Sequence, residues 1–399
     1  MNVCISKSKV KALFSVSAII SGFVIYYFIS KSVSDFNPVN FGLGENTSVK
    51  TGTYNNDIVN TFPSIIDFNG LNSVSWSFKK YKKEKHEIAL IIGASQIHAI
   101  NRLNQGDKLT VEYLNELSVN KNIRYLQISS PNANFFDLFL LYKSSRDMGN
   151  IPDYLILPLV FDDLREFPVQ EQLIQLVKDF DTTERLICAP VVKEIELEKN
   201  TIEKAKNKNA IQRNATLNTP QEILENNLLI LLNDYLPGYK YRRNLSAKLE
   251  IFYSVSVTGV ISNTVNLLNS ETTQEKLRYP DIPTDLINWN KQALTSLVNL
   301  AQYDGCKIIL YRQPIRPTEG EFYHNRKQYD SFFEDVKNEY QKNNQVKVAD
   351  FENIVPQKYW GTTNLGEPDV FHFTSTGHSL LSTKIDSIIR TIPVSNALQ

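Results

Sequence analysis

The apolar residues gather into short runs separated by stretches with helical spacing. Glu87–Ile92 (EIALII), Ile123–Ile128 (IRYLQI), Tyr154–Val160 (YLILPLV), Lys307–Tyr311 (KIILY) and Val346–Phe351 (VKVADF) read as strands, being brief and rich in branched and aromatic side chains. Thr110–Val119, Ala133–Arg146, Pro283–Gln302, Tyr323–Gln341 and Ser375–Arg390 read as helices. Pro283 opens one of these and Gly305 lies just past its end, the usual asymmetry of helix termini. Near-continuous apolar strands alternating with helices predict an α/β fold, a parallel five-stranded sheet covered on both faces.

One run is of another kind. Ala12–Ser30 (ALFSVSAIISGFVIYYFIS) has no charged residue in 19 positions. As a helix it would be roughly 28 Å long, about a bilayer core. Lys7, Lys9 and Lys11 precede it and Lys31 follows, so residues 1–11 are expected in the cytoplasm and everything after the span outside. The length of the run and its bulky aromatic end favour an uncleaved anchor over a cleaved signal peptide. Residues 31–85 are rich in Ser, Asn, Thr and Gly and read as a stalk, leading into a folded domain at 86–395. Between Val160 and Lys307 the interval is too long for one crossover, so a mainly helical insertion is expected at about 167–282. Its helical signals are the charged stretch Lys193–Asn209 and the apolar Gln221–Leu236.

Composition narrows the function classes. The chain has 399 residues, room for two or three domains or one large domain with insertions. Lys+Arg and Asp+Glu are each 43, which removes the basic excess a general nucleic-acid binder needs. A mean hydropathy of −0.27 excludes a multi-span transporter. Three cysteines exclude a disulfide-rich scaffold and a four-cysteine zinc site. Cys188 and Cys306 would lie outside the membrane, where either a disulfide or two buried thiols fit. No metal-ligand spacing and no phosphate-cradling glycine loop occurs, so neither metal nor cofactor is expected.

Ligands of open parallel sheets bind beyond the carboxyl ends of the strands. After the first strand stands Gly93-Ala94-Ser95-Gln96, with Gly93 permitting a tight turn and Ser95 exposing a hydroxyl. Before the last helix stands Asp369-Val370-Phe371-His372. An Asp three residues before a His can bind Nδ1–H and leave Nε2 free to take a hydroxyl proton. A Ser after the first strand with D-x-x-H before the last helix resembles the SGNH/GDSL hydrolase superfamily, over roughly Glu87–Arg390. The resemblance implies a flavodoxin-like three-layer α/β/α sandwich. It also implies a triad of Ser95 as nucleophile, His372 as base and Asp369 as acid.

The sequence departs from that family in the oxyanion hole. The glycine expected after the second strand is replaced within Ser129-Ser130-Pro131-Asn132-Ala133-Asn134, where Asn132 or Asn134 is the candidate donor. The family's Gly-x-Asn-Asp is replaced by Val160-Phe161-Asp162-Asp163, and a carboxylate cannot donate unless protonated. Gln96 and Arg165 are further oxyanion or substrate candidates, with a salt bridge to Asp162 or Asp163 the other reading of Arg165. Arg312 either contacts substrate or fixes its loop, and Trp360 either stacks on a sugar or packs.

The single span and the long insertion look like the membrane-anchored branch of the superfamily. That branch includes the protein completing D-alanylation of lipoteichoic acid and the acetylation proteins of alginate-type polysaccharides. The resemblance then implies a bacterial, single-pass membrane protein with an extracytoplasmic catalytic domain. It would transfer an acyl group, most simply acetyl, to an envelope polysaccharide or teichoic-acid-like polymer, or remove one. A membrane-bound O-acyltransferase is the implied partner. The alternative is a non-catalytic glycan-binding or scaffolding protein of an envelope acylation complex.

Overall fold

Strands too apolar to leave either face in water must be covered on both sides, and the five apolar runs are built into one sheet for that reason. A computed structural model describes residues 48–49, 58–60, 68–118, 122–166, 169–200, 281–318, 322–362 and 368–392. All belong to one compact unit, Gly42–Lys204 with Gln274–Gln399. Its strands are β1 (Ser48–Val49), β2 (Ile58–Asn60), β3 (Glu87–Gly93), β4 (Ala99–Ile100), β5 (Ile123–Ser129), β6 (Tyr154–Leu159), β7 (Lys307–Arg312), β8 (Val346–Asp350), β9 (Trp360–Thr362) and β10 (Pro368–Phe373). Its helices are α1 (Phe68–Lys83), α2 (Ser95–His98), α3 (Thr110–Leu117), α4 (Phe135–Asp147), α5 (Glu171–Ile174), α6 (Thr182–Ile187), α7 (Thr284–Tyr303), α8 (Arg326–Tyr340) and α9 (Ser375–Thr391). Residues 189–200 are also helical.

The main sheet runs β2-β5-β3-β6-β7-β8, with every neighbouring pair parallel. The five expected strands are its body, and short β2 adds a sixth at one edge. Side chains alternate between the two faces, as the strand period requires. Ile88, Leu90 and Ile92 face α1, α4, α7 and α8, in a core that includes Phe78, Phe139, Leu297 and Phe332. Ala89 and Ile91 face α3 and α9, in a second core that includes Leu114, Leu381, Ile385 and Ile389. Three layers result, with the sheet in the middle.

Part of the expected stalk belongs to the fold. β2 pairs with β5, β1 pairs antiparallel with β4, and α1 buries Leu71, Val74 and Phe78 in the first core. These three recur at helical spacing among Asn, Ser and Lys, so the average composition of the stretch conceals a one-sided apolar stripe. The start of the expected insertion is likewise integral. Arg146 of α4 donates to Glu184 of α6 at 2.6 Å and to Asp304 at 2.8 Å, while Phe180, Val191 and Ile195 lie in the first core. The remainder at 201–280, including Gln221–Leu236, lies outside the described residues, as does the expected span at 12–30. Among the described residues no helix is long and apolar enough to cross a membrane. Cys188 and Cys306 are buried free thiols.

If α1 is part of the fold, Phe78→Ala should lower the unfolding free energy by about 3–5 kcal/mol in urea titrations. A change in a solvated stalk would stay within about 0.5 kcal/mol, and that smaller result would return α1 to the linker.

Candidate active site

β3 is the point where the chain reverses direction across the sheet. After β3 it turns to the face that holds Ile97, and after β6, the adjacent strand, to the face that holds Phe161 and Leu164. A crevice opens at the carboxyl ends between two such strands. Ser95 opens α2 on one side of it, and a 3-10 turn at Asp162–Arg165 stands on the other.

Gly93 has its role for a reason other than turn geometry. Its backbone is not left-handed, but a Cβ there would lie 2.8 Å from Cγ of Pro158 on β6. Only glycine lets the two strands stay in register as the chain leaves β3. Ala94, the cap residue of α2, makes no side-chain capping bond.

Asp369 and His372 lie on a short strand, β10, that is not among the strands expected from the sequence. β10 pairs antiparallel with β9, with an irregular register between Pro368 and Phe373. The irregularity lets Asp369 fold back on its own chain. Its Oδ1 accepts the backbone N–H groups of Phe371 and His372, both at 3.0 Å. Nδ1 of His372 lies 3.1 Å from Asp369 Oδ2 and Nε2 lies 3.0 Å from Ser95 Oγ. All three side chains are buried.

The charge states follow from these contacts. Burial pushes the Asp369 carboxyl up, but the charge and ring N–H of His372 and the two backbone N–H bonds outweigh it, leaving Asp369 below the ordinary carboxylate range. An ionised carboxylate only accepts, so Nδ1 carries the proton and Nε2 accepts from Ser95. The arrangement can withdraw the hydroxyl proton as Oγ attacks an electrophile, while Asp369 stabilises the resulting imidazolium.

Asn101, which the sequence did not single out, completes the shell. Its Nδ2 donates to Asp369 Oδ2 at 2.8 Å. A Cβ on Gly361 of β9 would fall 1.8 Å from Asn101 Oδ1, so the side chain fits only against glycine. No local pattern marks Asn101, since it meets Asp369 across 268 residues of chain.

Of the other candidates, Gln96 is brought in: its Nε2 donates to Asp163 Oδ1 at 3.3 Å, across the crevice. Asn134 is not. Its Oδ1 accepts from Asp137 N at 3.0 Å as the cap of α4, and its Nδ2 donates to Glu166 O at 3.1 Å. Asn132 is exposed and takes a left-handed φ of 52°, a conformation for which Asn is the best non-glycine residue. The backbone shape associated with glycine is thus kept without glycine. Arg165 Nε donates to Asp162 Oδ1 at 2.8 Å, the salt-bridge alternative. Arg312 fixes its loop through Asp330 and Glu352, and buried Trp360 donates to Val355 O. Among the described residues no group of three His, Cys, Asp or Glu side chains is placed to hold a metal ion.

Two further histidines stand near the site. His98 is fully buried, with Nδ1 2.9 Å from Ser129 Oγ; burial and the nearby His372 lower its pKa to about 3. His324 is lowered to about 4 by burial and by Arg165. Both are therefore neutral at pH 7.

Comparison of the chain with protein-family models gives no match, and comparison with curated proteins gives none either.

The His98 shift has a testable consequence. A base whose folded pKa is depressed takes up its proton first in the unfolded chain, so stability is lost as pH falls from about 6.5 towards 3. The slope is about 1.4 kcal/mol per pH unit while only the unfolded state is protonated. Urea midpoints should show His98→Gln losing roughly 2 kcal/mol less than wild type between about pH 6.5 and 5. Equal losses would mean that His98 protonates within the fold.

Proposed function

We propose that this protein is an SGNH-like serine acyltransferase or esterase of the bacterial cell envelope, acting on the hydroxyl groups of a polysaccharide or teichoic-acid-like polymer. The observation that carries the reading is the continuous chain Ser95 Oγ–His372 Nε2–Asp369, at 3.0 and 3.1 Å. The expected membrane anchor at 12–30 and the strand order β5-β3-β6-β7-β8, with the serine after the first of these in sequence, support it.

Acylation begins as Ser95 Oγ attacks the carbonyl carbon of an acyl donor. The new Oγ–C bond forms as the hydroxyl proton passes to His372 Nε2, and charge collects on the carbonyl oxygen. The bond to the leaving group then breaks, and His372 returns its proton to that group. In the second half an acceptor hydroxyl, from polymer or water, gives its proton to His372 and attacks the acyl carbon. The Oγ–C bond breaks and Ser95 recovers the proton. Asp369 keeps the imidazole in the tautomer both halves need, and Asn101 keeps Asp369 in place. A membrane anchor would hold the enzyme beside a membrane-bound acyl donor, which favours transfer to polymer over hydrolysis.

Ser95→Ala should reduce polymer acylation by on the order of 10⁴-fold or more, since a triad acts as a unit. The measurement is mass analysis of envelope glycans from cells lacking the gene, complemented with wild type or with Ser95→Ala. Equal glycan acylation in the two complemented strains would remove the catalytic reading.

A further inference from the structure

The charges of the whole chain balance, but those on the solvent face of α1 do not. Residues 76–85 hold five lysines and one glutamate. Leu71, Val74 and Phe78 turn inwards to the first core. Trp76, Lys79, Lys80 and Lys83 recur at i, i+3, i+4 and i+7, which places them in one stripe on the opposite side of the helix. All four are exposed, Trp76 at 57%, and Lys80 Nζ lies 5.5 Å from the centre of the Trp76 ring. Lys79, Lys80 and Lys83 form no ion pair among the described residues. The nearby carboxylates are turned to other groups: Asp153 to Lys82 at 2.7 Å, and Glu84 to His86 Nε2 at 3.7 Å. The stripe therefore shows water a large amphipathic ring beside three uncompensated ammonium groups.

A bilayer containing anionic lipid is layered to match, with negative headgroups outside and acyl chains beneath. Lysines gain from its surface potential, and tryptophan is among the side chains best suited to the boundary between the layers. Shape agrees, because the stripe is an outward ridge on a helix and suits a plane better than it suits a single polymer strand. We propose that Trp76, Lys79, Lys80 and Lys83 form a docking surface for an anionic lipid bilayer, with the indole at the headgroup boundary and the three ammonium groups on lipid phosphates. The proposal goes beyond the acyl-transfer reading and rests only on its placement of the domain beside a membrane. Residues 31–67 join the expected span to α1 and reach at most about 120 Å when extended. Such a tether gives a small patch a high effective concentration of lipid, so three lysines and one ring suffice. Because α1 lies on one face of the sheet, a membrane against its outer stripe runs along that face. The carboxyl edge, with Ser95, then opens along the membrane surface.

The chain has three tryptophans, none of them in the expected span. Trp360 is buried and Trp289 is half-buried, stacked on Phe136 at 3.8 Å, so quenching by lipid reads Trp76. The test reconstitutes the full-length protein into vesicles with a fixed share of dibrominated phosphatidylcholine, the rest being either phosphatidylcholine or phosphatidylglycerol. Trp emission should be quenched in the phosphatidylglycerol vesicles, and the quenching should be absent in Trp76→Phe. It should fade as salt rises above physiological strength, since the contact is screened. The ratio of docked to undocked protein should fall about 5-fold for each of Lys79→Gln, Lys80→Gln and Lys83→Gln. Equal quenching in the two kinds of vesicle, or quenching unchanged in the triple lysine variant, overturns the proposal. So does an unquenched Trp76 that poly(glycerol phosphate) shields from acrylamide, a result that would assign the stripe to an anionic polymer. Ser95→Ala should dock as wild type does, and its glycan acylation tests the acyl-transfer reading separately.

Discussion

A parallel sheet with both faces apolar dictates most of this molecule. Each strand must be followed by a crossover that returns the chain to the starting edge, and each crossover must cover a face. All carboxyl ends therefore lie along one edge. Where the chain leaves two adjacent strands on opposite faces, as after β3 and β6, the edge opens into a crevice. Ser95 and Asp163 are placed on its two sides by that constraint, and Gln96 reaches across it.

Burial then sets the chemistry. The ionisable groups in and around the crevice lie at low exposure, and each takes the charge its partners support. Asp369 has His372, Asn101 and two backbone N–H groups, and stays ionised. Asp163 is surrounded by acids, and burial foremost, with these neighbours, pushes its carboxyl towards the neutral form. His98, beside a serine hydroxyl and near His372, is neutral as well. The two carboxyl groups thus shift in opposite directions, because one is solvated by donors and the other is surrounded by acids.

Precision at the site comes from residues without a side chain as much as from those with one. Gly93 allows Pro158 to lie against the turn that carries Ser95, and Gly361 makes room for the Asn101 amide behind Asp369. The hairpin of β9 and β10 stands outside the main sheet, yet it supplies both Asp369 and His372. Its irregular register lets the aspartate bend back onto its own backbone before reaching the imidazole.

The five main strands and five of the helices were legible in the sequence, because their apolar periodicity is a local property that burial on a sheet or helix face imposes directly. Ser95, Asp369 and His372 were legible as candidates, because each stands at the end of such an element. Helix α1 was not, since its Leu71, Val74 and Phe78 are diluted by polar neighbours and gain meaning only against the sheet. Asn134 and Arg165 carried the right functional groups but are committed to a helix cap and to Asp162, which spacing alone left open. Asn101, and the pairing of Gln96 with Asp163, belong wholly to the tertiary structure. Residue type decides what a side chain is able to donate or accept. Its surroundings, assembled from distant parts of the chain, decide whether it is charged, which way it points and what it touches.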